Sequence, residues 1–164
     1  LLDQRSPSKA GTTLRQQKDD LFNRIREVFN VGRLVRIDGS CGGYSHNATT
    51  IAGVLLEAAG GSPELAKDVC MHIAAMRPLA LSREDVDPAE IEKERAILRE
   101  AALKEGKPAS IVDKMVEGRL RNFFAEKVLL EQQFVKGDKE TVGKMAAQKG
   151  MTIKRFVHWE IGQK

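Results

Sequence analysis

The side chains with the most chemistry to offer are Cys41, His46, Cys70 and His72, two thiols and two imidazoles that together match the ligand set of a structural zinc. Their spacing argues against that use. Cys70 and His72 stand two apart in a stretch with helical periodicity, so their side chains diverge by about 200° around the axis. The two-to-four-residue knuckle that brings two thiolates onto one metal is also missing. His72 reads as a core histidine, and no metal is expected. The sequence holds no G-x-S-x-G elbow, H-E-x-x-H helix, Walker loop or dinucleotide fingerprint. Gly39 to Gly43 is rich in glycine, but no helix N-terminus follows it to align backbone donors around a phosphate. Acidic neighbours such as Glu84 with Asp85, or Glu92 with Glu94, fall on surfaces expected to be solvated. The expectation is a chain with no catalytic residue and no cofactor.

Tyr44 and His46 are a different case. Arg33–Asp38 and Thr49–Glu57 are dense in β-branched and aliphatic residues and read as two strands. The stretch from Gly39 to Asn47 between them reads as a long hairpin connection whose only bulky side chains are Tyr44 and His46. Side chains held on a loop between strands are placed either to meet a partner or to cap the end of the sheet.

The longest organised stretch runs from Asp87 to Phe124. Asp87-Pro88-Ala89-Glu90 combines a capping residue, a proline suited to the first helical position and a glutamate three residues after the cap. Gly106-Lys107-Pro108 tolerates a left-handed stop and opens a second helix. Val112, Met115, Val116, Leu120 and Phe123 form a stripe in the second arm, facing a thinner one of Ile91, Leu98 and Ala102. The pattern predicts an antiparallel helical hairpin inserted at 87–125.

Elsewhere, residues 1 to 12 are rich in Ser, Lys, Gly, Pro and Thr and read as a linker. Thr13 with Gln16 makes a capping box for a helix carrying Leu14, Leu21, Phe22, Ile25, Val28 and Phe29, closed near Gly32. Residues 1–32 thus read as a linker and a leading helix, and residues 33–164 as the main subdomain. Ser62 and Pro63 open a largely apolar helix that ends at Pro78. A short helix is expected from Asp138 to Lys149, stopped by Gly150. The last segment places Ile153, Val157, Trp159 and Ile161 on one face of a strand, and Lys154, His158 and Glu160 on the other, with Phe156 out of pattern. Two early strands and one late, with helices between, predict an α+β fold: a small three-stranded antiparallel sheet packed with helices, plus the protruding hairpin.

The 164 residues suffice for one domain with a core and a protruding element. No run of about 18 apolar residues exists and the first residues lack a signal-peptide core, so the reading is soluble and cytoplasmic, without membrane contact. Two cysteines are too few for a disulfide framework. The net charge of +4 is unevenly spread: residues 1–36 carry 8 basic and 4 acidic groups, whereas 37–87 carry 3 and 7. Mixed signs, and aromatics at only 5%, do not make the basic face of a nucleic-acid domain. Composition and spacing lead to an α+β interaction module with a helical arm.

From Arg33 onward the sequence resembles bacterial translation elongation factor Ts. The resemblance is carried by Asp38-Gly39 with Gly43-Tyr44-Ser45-His46, Met71-His72-Ile73-Ala74-Ala75 closed by Arg77-Pro78, Glu84-Asp85-Val86 and Gly106-Lys107-Pro108. Further along come Lys114-Met115-Val116-Glu117-Gly118-Arg119, Gln133-Phe134-Val135, Thr141-Val142-Gly143 and Phe156-Val157-His158-Trp159-Glu160-Ile161-Gly162. It implies a guanine-nucleotide exchange factor, not an enzyme, that binds elongation factor Tu and accelerates GDP release. In the family a Thr-Asp-Phe motif triggers exchange, and these residues hold none; Gln133-Phe134-Val135 matches a different segment, after the hairpin. The matched positions correspond to the carboxy-terminal half, the second core subdomain with its helical insertion. The resemblance implies that this half docks on the third domain of elongation factor Tu, with Tyr44 and His46 in one contact and Phe134, Val135 and Lys136 in a second. A homodimer through the sheet, with the strand from Thr152 to Ile161 as its edge, is a further expectation. The rival reading is a helical-hairpin module that binds ribosomal RNA or another translation factor electrostatically.

Overall fold

The computed structural model describes residues 1–28, 30–47, 51–106, 108–137 and 139–162. Expectations that fall on Phe29, Thr49, Thr50, Lys107, Asp138, Gln163 and Lys164 lie outside the described residues. The chain divides into two compact units, Leu1–Arg36 and Ile37–Lys164.

In the first unit, helix α1 spans Leu14–Ile25 behind the capping box of Thr13 and Gln16, and ends at Arg26 in the left-handed conformation. Residues 1 to 12 are not the open linker that their composition suggests. The amide of Ser6 donates to the Thr12 carbonyl, while the amides of Leu14 and Arg15 donate to the carbonyls of Gln4 and Leu2. Polar side chains that would otherwise favour disorder are used here in turns, as with the Ser6 hydroxyl accepting from the amides of Ser8 and Lys9.

The second unit is α+β. Strands β1 (Cys41–Asn47), β2 (Ile51–Gly60) and β3 (Met151–Glu160) form an antiparallel sheet in the order β1-β2-β3. Helix α2 (Pro63–Met76) follows β2, capped by Ser62, and packs on β1 and β2. The first strand is therefore Cys41–Asn47, not Arg33–Asp38, and the expected loop carrying Tyr44 and His46 is itself a strand. The reason lies in packing rather than propensity: a Cβ on Gly42 would come within 2.8 Å of the Ala66 Cβ, so the segment that slips beneath α2 is the one with no side chain there.

A β-bulge corrects the alternation expected of the last strand. Ala58 pairs with Ile153 but Glu57 pairs with Arg155, leaving Lys154 as the extra residue. Beyond the bulge the faces exchange: Phe156 lies opposite the buried Leu56 on the core side, while Val157 and Trp159 lie opposite Leu55 and Gly53 on the other. Phe156 is thus in pattern, and Ile153 does not share a face with Val157 and Trp159.

The main core joins Val54 and Leu56 of β2 to Leu65, Val69, Cys70 and Ile73 of α2, with Leu129, Phe134, Val142, Met145, Met151 and Ile153. Helices α3 (Pro88–Lys104) and α4 (Ala109–Lys127) pack on each other as the hairpin, with their own small core of Ala102, Val112, Val116 and Leu120. Gly106 between them adopts the left-handed conformation. A third cluster of Ala80, Val86 and Val128 secures the root of the hairpin, where the Leu129 amide donates to the Ala80 carbonyl. Helix α5 (Val142–Gln148) is capped by Thr141 and leads into β3.

Candidate partner-contact site

Tyr44 and His46 sit two apart on β1, so the pleat puts both on the face that α2 covers, opposite Val54 and Ala52. Each is half-buried. The Tyr44 hydroxyl lies 3.1 Å from His46 Nδ1, and the Tyr44 ring packs against the main core. The tyrosine is thereby a fixed strut for the imidazole, which stands nearer the strand end.

The second group, Phe134, Val135 and Lys136, is held by α2 as well. Phe134 is only 6% exposed and lies against the His72 ring, centroid to centroid 5.7 Å. Val135 follows with its side chain 49% exposed. The Lys136 ammonium donates to the Asp68 carboxylate at 2.7 Å and touches the sulfur of Met71. Burial of Phe134 therefore pins the segment while its two successors face outward.

Beneath this segment lies a polar arrangement that sequence patterns do not disclose. His72 and Gln132 are both fully buried, and His72 Nε2 lies 2.9 Å from Gln132 Oε1. The Gln132 amide nitrogen donates to the carbonyls of Glu126 at 2.7 Å and Met76 at 3.4 Å, which leaves its oxygen as the acceptor. His72 Nε2 must then carry the proton, and Nδ1 is free to accept from the Val135 amide at 3.3 Å. Burial holds the His72 pKa below its ordinary value, partly opposed by the bond to Gln132. His72 is the core histidine expected, with Gln132 as a partner 60 residues away that no local signal could reveal.

The pairing of Arg77 with Glu160 likewise has no local signal in the sequence. Arg77 closes α2 in the left-handed conformation and pairs with Glu160 at the end of β3. Glu160 lies opposite Ala52, which in turn lies opposite His46, so all three share one row of the sheet. His158, two rows further in opposite Val54, buries Nε2 without a hydrogen-bond partner. Its pKa is lowered by burial, raised by Glu160 and lowered by Arg77.

Among the described residues, no cluster of three or more His, Cys, Asp or Glu is placed to hold a metal ion, and no helix is long and apolar enough to cross a membrane. Cys41 is exposed and Cys70 buried, both as free thiols.

Comparison with known proteins accounts for almost the whole chain. The Elongation factor TS family matches residues 2–163. The chain is 43% identical over 158 residues to elongation factor Ts of Methylococcus capsulatus, covering 94% of this chain and 53% of that protein. It is 46% identical over 140 residues to elongation factor Ts of Deinococcus deserti, covering 85% and 52%. For elongation factor Ts of Ruegeria pomeroyi the identity is 43% over 144 residues, covering 85% and 50%. The chain spans about half the length of the curated relatives it matches. With a family match from residue 2 to residue 163, the chain belongs to the elongation factor Ts family.

Proposed function

We propose that this chain binds elongation factor Tu in the cytoplasm, and that it is the docking half of a guanine-nucleotide exchange factor whose full-length form promotes replacement of GDP by GTP. The family match from residue 2 to residue 163 carries this reading. The contact consists of Tyr44 and His46 on β1 together with Val135 and Lys136, Phe134 acting as the buried anchor of the second group. Docking is on the third domain of the partner. The half-exposed imidazole and the exposed Val135 are the side chains available for burial in an interface.

Exchange follows from linkage. A factor that binds nucleotide-free partner more tightly than the GDP form must weaken GDP by the same ratio. Grip on a domain remote from the nucleotide adds affinity in every state and gives no discrimination unless that domain moves. These residues hold no Thr-Asp-Phe, so this half supplies grip. The reading involves no bond-making chemistry, no cofactor and no direct nucleic-acid contact.

Self-association through the sheet belongs to the same reading. β3 is an edge strand, and its outer face sets Val157 and Trp159 beside Leu55. Sedimentation at high micromolar concentration tests it: a concentration-dependent dimer is expected, and a strict monomer rules it out.

Titration calorimetry against a purified bacterial elongation factor Tu tests the docking. Saturable binding that His46→Ala weakens five- to thirty-fold, about 1 to 2 kcal/mol, is the expected result. No binding by the parent chain would refute the proposal.

A further inference from the structure

We infer that His72 is a positioning residue: by accepting the Val135 amide at Nδ1 it fixes the main chain that turns Val135 and Lys136 outward, and so sets partner affinity without touching the partner. The inference rests on the reading of Val135 and Lys136 as a contact. His72 itself is fully buried on α2, whereas Val135 is 49% exposed, so the two cannot share a role at an interface. What joins them is one hydrogen bond, Val135 N–H to His72 Nδ1 at 3.3 Å. The direction of that bond is imposed from the other side of the ring. Gln132 spends its amide nitrogen on the carbonyls of Glu126 and Met76, which forces its oxygen toward His72 and the imidazole proton onto Nε2. Glu126 lies in the last turn of α4 and Met76 ends α2. The tautomer that holds Val135 is therefore read from the positions of two helix ends.

Burial of Phe134 pins the preceding residue, but among the described residues no other hydrogen bond holds the Val135 amide. The Phe134 amide donates to the Glu140 carbonyl, which closes the loop on itself, and the Lys136–Asp68 pair is solvent-accessible and contributes little by itself. A valine with an exposed side chain and an amide turned inward to a buried imidazole needs that imidazole to keep its orientation.

Two substitutions separate positioning from simple packing. Asn places an acceptor oxygen where Nδ1 of histidine lies, two bonds from Cβ, while Gln places a donor where Nε2 lies, three bonds away. His72→Asn thus retains the bond to Val135 and loses the one to Gln132; His72→Gln does the reverse. Both put an amide in the core and both lower stability. Amide hydrogen exchange and calorimetry against elongation factor Tu are then read in parallel. The expected result is a protected Val135 amide and near-parental affinity in His72→Asn, with loss of protection and about a fivefold loss of affinity in His72→Gln. Equal protection of Val135 in the two variants, with Val135→Ala still weakening binding, overturns the role of His72 and leaves the contact standing. The expected split in protection, with Val135→Ala and Lys136→Ala both without effect on affinity, overturns the contact and with it the role in binding. If neither variant folds, the parent chain decides: a Val135 amide that exchanges as an unprotected one refutes the inference.

Discussion

The Arg77 guanidinium at the end of α2 lies 2.9 Å from the Glu160 carboxylate at the end of β3, and the Glu160 side chain is only 8% exposed. Arg77 holds a left-handed backbone, with φ at 49°, at a site where glycine is the usual choice. Replacing Arg77 with Ala keeps the backbone strain and leaves a shielded carboxylate without this partner. A loss of about 1 to 3 kcal/mol in denaturant-induced unfolding is expected, more than an exposed pair would yield. His158, whose pKa Arg77 lowers, should titrate higher in the variant. Unchanged stability together with an unchanged His158 titration would contradict the pairing.

Two glycines should respond in opposite senses to the same substitution. At Gly60, φ is +71° and a Cβ would fall 2.1 Å from the Gly150 carbonyl oxygen, so backbone must move. Gly60→Ala is expected to cost about 2 to 4 kcal/mol. Gly118, inside α4, would meet nothing within 4 Å, and Gly118→Ala should stabilise by about 0.5 to 1 kcal/mol. Thermal melts of the two variants check both signs.

Helices α2, α3 and α4 were legible because their signals are local: Ser62 before Pro63, Asp87 before Pro88, and Gly106 between the hairpin arms. The three-stranded antiparallel sheet was legible in class but not in its first strand. β1 is selected by the fit of Gly42 under Ala66, a contact between distant segments, while the β-branched run at Arg33–Asp38 forms no strand. The bulge at Lys154 is a matter of register with Glu57 and Ala58, which a period-two pattern in β3 alone does not contain. Of the site, Tyr44 and His46 were visible as residue types, though their shared face follows from strand geometry that the loop assignment concealed. Gln132 was not visible, since its role depends on His72 and on two carbonyls from helix ends.

The thiols should differ in reactivity. Burial pushes the Cys70 thiol up to about 11, whereas Cys41 is exposed at the start of β1. With a maleimide at neutral pH, one thiol per chain should react quickly and the second only on unfolding. Rapid modification of both in the folded protein would be inconsistent with the buried position of Cys70.

His72 also gives the fold a dependence on pH. Its pKa is lowered from 6.5 by burial, so below 6.5 the unfolded chain takes up a proton that the folded one resists. Stability present above pH 6.5 is therefore lost as pH falls toward the folded-state value, at up to about 1.4 kcal/mol per pH unit. Asp68, one turn before His72 on α2, pairs with Lys136. His158 adds a loss of the same sign. Unfolding measured from pH 7.5 to 5 should show a shallower decline in His72→Asn than in the parent; parallel declines would remove His72 from the effect.

GDP release from elongation factor Tu, followed with a fluorescent nucleotide in the presence of saturating chain, tests most directly whether this half supplies grip without exchange. Under the proposed docking, release should stay close to the spontaneous rate, because these 164 residues hold no Thr-Asp-Phe trigger. Clear acceleration of release by the chain alone would contradict it.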